Sequence, residues 1–149
     1  MEIFKDIEGY EGLYQISNFG NVRSFRNRKE RILKPGLDHK GYNYVSLCVN
    51  SKRKNFKVHR LVGKSFIPNP NNNPQINHKN GIKIDNHTLN LEWVTQSENM
   101  LHAQKNGFKP VGSNAPHAKL IEAQVIDIRN EYKNGVIANH LAKKYKVNS

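Results

Sequence analysis

The sequence predicts an α+β fold in three parts. A small antiparallel β-rich N-terminal module covers 1–57, a strand–loop–strand–helix core lies within 58–106, and a linker at 107–118 leads to a helical hairpin over 119–149. Three observations predict it. As far as Lys57 the chain is a series of short β-like runs cut by Gly, Pro and Asn. From His59 the apolar spacing turns helical, gives way to two short strands, and turns helical again. Beyond a stretch holding Gly107, Pro110, Gly112 and Pro116, apolar residues recur at helix spacing.

Each element has a local reason. Tyr14–Ile16 and Asn21–Phe25 read as strands on either side of a Ser17–Gly20 turn, and Pro35-Gly36 marks the next turn. Tyr42–Val49 is aromatic and β-branched, hence a strand; Asn50–Lys54 reads as an exposed basic hairpin loop, and Asn55–Val58 as the returning strand. Leu61, Val62, Ser65 and Phe66 fit one face of a short helix stopped by Pro68 and Pro70. Residues 67–75, rich in Asn and Pro, form a loop. Ile76–His78 and Leu91–Val94 are short strands separated by a polar loop. Thr95 and Glu98 form a capping-box pattern for a helix that runs to about Lys105 and stops at Gly107. In the last part, Ile121, Val125, Ile128 and Tyr132, then Ile137, Leu141 and Tyr145, define two helices joined at Asn134-Gly135.

Charge narrows the function classes. The 149-residue chain carries a formal +12, and thirteen of its Lys and Arg fall within residues 23–64 against only Glu30 and Asp38. An excess concentrated in one segment describes a basic face, which fits nucleic acid. The same segment alternates and turns, unlike an amphipathic membrane helix, and no apolar run is long enough to span a bilayer. Cys48 is the single cysteine; it excludes an internal disulfide and a zinc site of paired thiolates, and reads as a small core residue. The N-terminus lacks the regions of a secretion signal, which points to a cytoplasmic protein, in a host cell if phage-encoded.

The candidate site is Asn77-His78-Lys79-Asn80-Gly81, followed by Asn90–Val94 and Glu98-Asn99. Phosphodiester hydrolysis needs an activated water and neutralisation of charge on the phosphate and leaving oxygen. Histidine suits the first because its pKa lies near neutrality. A divalent cation suits the second as a Lewis acid, and Asn77 and Asn99 can each offer it a carbonyl oxygen. Taken singly, Asn80-Gly81 is an ordinary turn, His78 a satisfied polar residue, Asn90 a loop or cap residue and Trp93 a core residue.

As an ordered set these residues resemble the HNH nucleases, in the branch of phage and intron-encoded homing endonucleases. The resemblance is carried by Val58-His59-Arg60-Leu61-Val62, Ile76–Gly81, Asn86, and Asn90–Thr95 with Glu98-Asn99. Ile7–Asn18 with Gly20, Val22, Arg23 and Ser24 resembles the small N-terminal DNA-binding module that accompanies those nucleases. The resemblance implies a ββα-metal core, His78 as general base, Asn77 and Asn99 as metal ligands, and Asn90 ordering the loop and the base. It implies a metal-dependent DNA endonuclease leaving 5′-phosphate and 3′-hydroxyl ends. Relatives often carry Asp where this chain has Asn77, so metal affinity without DNA should be weak. The final Asn favours one hard cation, magnesium or else manganese, over zinc.

Phosphate contacts are expected from Arg23, Arg26, Arg28, Lys29, Lys52, Arg53, Lys54 and Arg60 on double-stranded DNA. His59 reads as an orienting, phosphate-contact or structural residue, and His102, one turn beyond Asn99, as a substrate-contact or packing residue. No protein partner is implied, and a monomer or weak dimer is expected. Residues 119–147 resemble the start of a helix-turn-helix whose reading helix would follow Val147-Asn148-Ser149; a plain helical hairpin is the alternative. Two other functional classes remain: a non-catalytic DNA-binding protein on the same fold, and an RNA-directed or toxin-like nuclease.

Overall fold

The computed structural model describes residues 1–26, 29–108 and 119–147. Arg28 and most of the expected linker, from 109 to 118, lie outside the described residues. Two compact units divide the chain, Met1–Met100 and Leu101–Ser149.

The first unit holds three antiparallel sheets. Strands β1 (Phe4–Asp6), β2 (Tyr14–Ser17), β3 (Val22–Ser24) and β4 (Arg31–Leu33) form one sheet in chain order. Strands β5 (Gly36–Leu37), β6 (Asn43–Val49) and β7 (Lys52–Lys57) form a second. After helix α1 (Val58–Phe66), β8 (Gln75–His78) and β9 (Leu91–Val94) form a two-stranded hairpin, and helix α2 (Gln96–Lys105) follows. The α+β class is as the sequence predicts. Strands β1, β4 and β5 were not legible locally: each has only two or three residues, none of them buried, and each is an edge of its sheet.

One correction concerns the basic hairpin. Asn50 and Ser51 both have positive φ, 49° and 60°. Two such residues make a tight turn that matches the strand twist. Lys52, Arg53 and Lys54 are therefore strand residues paired with Val49, Cys48 and Leu47, rather than loop residues.

Helix α1 is the hub. Val58, Leu61 and Val62 join Ile7, Tyr14, Ile16 and Val22 of the first sheet, Val45 and Leu47 of the second, and Ile76 and Leu91 of the hairpin in one core. The helix lies so close to the hairpin that a Cβ on Gly63 would run into Ile76 Cδ1 and approach Trp93 Cζ2 to 3.2 Å. Helix α2 starts as expected: Glu98 N donates to Thr95 Oγ1 (3.2 Å), and Glu98 Oε2 accepts from Thr95 N (2.8 Å).

The second unit contains α3 (Glu122–Lys133) and α4 (Ala138–Lys144), joined through Asn134 and Gly135, whose φ is 89°. Leu141 is its buried residue, and Glu131 binds Lys144 Nζ (2.7 Å) and Tyr145 Oη (2.9 Å). Ile121, Tyr132 and Ile137 are more than half exposed, so a two-helix hairpin leaves much of its apolar stripe uncovered. No helix among the described residues is long and apolar enough to cross a membrane.

Candidate active site

His78 ends β8 and is 5% exposed. Its ring stands 5.2 Å from the His59 ring, edge to face, and 5.9 Å from Tyr42, centroid to centroid. Nε2 lies 3.4 Å from Asn86 Oδ1, and Asn86 Nδ2 donates to the Ile84 carbonyl (3.0 Å). Burial pushes the His78 imidazole below its usual pKa; the Asn86 contact and Asp85 pull the other way. His59 sits beside it, 5% exposed, with Nδ1 buried and unpartnered among the described residues. Burial first, then the neighbouring His78, lowers the His59 pKa to about 3.

The loop that returns to β9 is held by Asn90. Its Oδ1 accepts from Asn80 N (3.0 Å), its Nδ2 donates to the Asp85 carbonyl (2.8 Å), and its own carbonyl accepts from Lys79 N (2.8 Å). Asn90 thus ties Lys79, Asn80 and Asp85 together. The amide against the imidazole is that of Asn86, and Asn90 acts on it only through the neighbouring Asp85. Asn86 was visible in the motif but carried no role there, because a residue eight positions along a loop gives no local sign of folding back onto the ring.

Asn77 and Asn99 belong to a different cluster. Neighbouring residues on a strand leave opposite faces, so Gln75 and Asn77 share one face of β8 while Ile76 and His78 share the other. Asn99, from the first turns of α2, donates Nδ2 to Gln75 Oε1 (2.7 Å). Asn77 donates Nδ2 to Glu92 Oε1 (2.8 Å). Both amide nitrogens are engaged, which leaves two carbonyl oxygens to offer. Such a donor set suits a hard divalent cation. Among the described residues no group of three or more His, Cys, Asp and Glu side chains is gathered that could hold a metal ion.

The other expected residues are dispersed. Lys29, Lys52, Arg53 and Lys54 are exposed. Arg23 is half-buried and engaged within the fold: Nε donates to Gln15 Oε1 (2.7 Å), Nη1 meets Glu30 at 3.2 Å, and its guanidinium lies 4.0 Å from the Phe4 ring. Arg26 is exposed, with the Tyr14 hydroxyl as the main influence on its guanidinium. Arg60 donates to the Pro74 carbonyl (2.8 Å). His102 is 5.8 Å from Phe108, ring to ring.

The pattern described as HNH endonuclease matches residues 56–101, and that described as NUMOD4 motif matches residues 2–48. A solved structure described as DNA binding and cleavage by the HNH homing endonuclease I-HmuI superposes with a TM-score of 0.67 at 36% identity, covering 86% of this chain and 68% of that one. The chain belongs to the HNH homing endonuclease family. Its relatives include the DNA endonuclease I-HmuI of Bacillus phage SP01, 38% identical over 78% of this chain and 66% of that protein. An uncharacterized HNH endonuclease of Acanthamoeba polyphaga mimivirus is 36% identical over 89% of this chain. The chain spans 39% of the mimivirus relative's length and just under two thirds of the phage one's. HNH endonucleases in general depend on a divalent metal ion.

Proposed function

We propose that this chain is a metal-dependent HNH DNA endonuclease that hydrolyses phosphodiester bonds with magnesium as its ion. It cuts one strand per encounter, so that a double-strand break needs a second visit or a second copy. The observation that carries this reading is the direction of the Asn86 amide. Its nitrogen is engaged by the Ile84 carbonyl, so the oxygen faces His78 and can only accept. Nε2 therefore carries the ring proton and Nδ1 keeps its lone pair. Burial keeps the ring neutral at neutral pH. A neutral imidazole of fixed tautomer is what a general base requires.

In this reading His78 Nδ1 takes a proton from the attacking water. Asn77 and Asn99 hold the ion through their carbonyl oxygens. The ion, when bound, stabilises charge on the leaving 3′-oxygen as a Lewis acid. Asn90 keeps the loop, and with it Asn86, in register. Residues 1–57 form the basic grip on duplex DNA, 58–106 the nuclease core, 107–118 the linker and 119–149 an accessory helical unit.

The test is conversion of supercoiled plasmid to open circle with magnesium or manganese. His78→Ala should lose cleavage by about 10²–10⁴-fold while retaining duplex binding. Duplex binding by the wild type without cleavage in either metal overturns the reading. It would favour a non-catalytic DNA-binding protein, which the neutral Asn77–Asn99 donor pair also supports.

A further inference from the structure

Asn77 is a neutral amide where a carboxylate would hold a cation more strongly. Its direct partner across the hairpin is Glu92. Glu92 Oε1 lies 2.8 Å from Asn77 Nδ2. An ionised carboxylate only accepts, so this contact fixes the amide with its nitrogen toward Glu92 and its oxygen turned away. The Asn99–Gln75 contact has no such preference, because two amides can exchange donor and acceptor ends. In a chain of net charge +12, the ion pairs among the described residues use Glu30, Asp38 and Glu131, and Glu92 is in none of them. Its described partner is the amide of Asn77.

We infer that Glu92 is the anionic half of the ion site: it holds the Asn77 carbonyl outward and supplies, through the amide, the charge that Asn77 lacks. A hydrogen bond to a carboxylate polarises the amide and raises the electron density on Oδ1. Glu92 is thus a positioning residue, its carboxylate one amide away from the ion. The inference rests on the reading that Asn77 and Asn99 hold a divalent cation.

Glu92→Gln keeps size and shape but can donate as well as accept, which frees the Asn77 amide to turn over. Asn77→Asp combined with Glu92→Gln moves the charge onto the ligand itself. The readout is manganese titration of the full ¹⁵N-labelled chain without DNA, following paramagnetic broadening of the Asn77 and Asn99 side-chain amides, with the Asn77 signal replaced by backbone amides of β8 in the double variant. In wild type, both side chains should broaden together. Glu92→Gln should need on the order of 10–100-fold more manganese, and the double variant should return to wild-type affinity or better. Equal affinity of wild type and Glu92→Gln, or no recovery in the double variant, overturns this inference alone. Absence of broadening at Asn77 and Asn99 in wild type overturns it together with the metal reading on which it rests.

Discussion

Gly20 packs directly on Asn86. A Cβ at Gly20 would stand 2.7 Å from Asn86 Cβ and 3.3 Å from Val58 Cγ1, and the Gly20 φ of 90° is one that side chains rarely adopt. Next to it, Thr88 N donates to the Asn18 carbonyl at 2.9 Å. The turn between β2 and β3 therefore buttresses the loop that carries the amide against His78. The N-terminal module and the site are mechanically one piece.

Gly20→Ala should accordingly impair cleavage through Asn86. The clash is with a backbone-proximal carbon that cannot swing away. We expect kcat to fall at least tenfold, with duplex affinity within about twofold of wild type, because no proposed phosphate contact is touched. A plasmid-nicking rate measured beside a gel-shift titration checks it; parallel loss of binding and cleavage would mean that the whole module had been displaced.

His59 makes stability depend on mild acid. Its neighbours are His78, Lys57, Arg60 and Asp38, and its pKa is lowered from 6.5 to about 3. The folded state keeps the ring neutral while the unfolded chain takes up a proton below 6.5. Stability from this residue is therefore full above pH 6.5 and is lost as pH falls toward 3, on the order of 5 kcal/mol across the whole window. His78 contributes a loss of the same sign. Asp38, lowered to about 2, keeps its contribution until more acid conditions. Urea unfolding at pH 7 and pH 4.5 should show a large loss in wild type and a clearly smaller one in His59→Phe. Identical losses would mean that the ring is charged in the folded state.

Gly63→Ala should destabilise although alanine is the better helix former. The propensity gain is at most about 1 kcal/mol. Against it, the added methyl must displace Ile76 and crowd Trp93 in a packed contact between α1 and the β8–β9 hairpin. Overpacking of this kind costs about 1–3 kcal/mol. Thermal unfolding should show a net fall in Tm, and a rise would mean that Ile76 moves aside freely.

What was legible in the sequence is what is local. The capping box of Thr95 and Glu98, the Pro68 stop after α1 and the Asn134-Gly135 turn each depend on residues a few positions apart, and each is where expected. What was not legible depends on register. Pairing Asn77 with Glu92 requires knowing that the hairpin is in register from Lys79 and Asn90 outward. Placing His59 against His78 requires knowing where α1 docks. The Lys52–Lys54 run looked like loop because its charge is what a loop would carry; the two positive-φ residues before it set the turn, and backbone pairing with β6 then outweighs the polar side chains.

That pairing also sorts the basic residues by face. Along β7 successive side chains alternate, so Lys52 and Lys54 point one way, on the side of buried Leu47, and Arg53, Asn55 and Lys57 point the other. Lys57 Nζ lies 4.5 Å from the Tyr42 ring, and Tyr42 stacks on both His59 and His78. The Arg53 face is thus the one that leads to the imidazole. A duplex positioned for cleavage should run along it, and only its cations should release counterions from that duplex. Arg53→Ala should lower the slope of log affinity against log salt by about 0.9, the value for one phosphate contact. Lys52→Ala should leave the slope unchanged, though both side chains are exposed. Fluorescence-anisotropy titrations across a range of salt concentrations measure this directly; an equal drop in slope for the two variants would put the duplex over the hairpin tip rather than along one side of it.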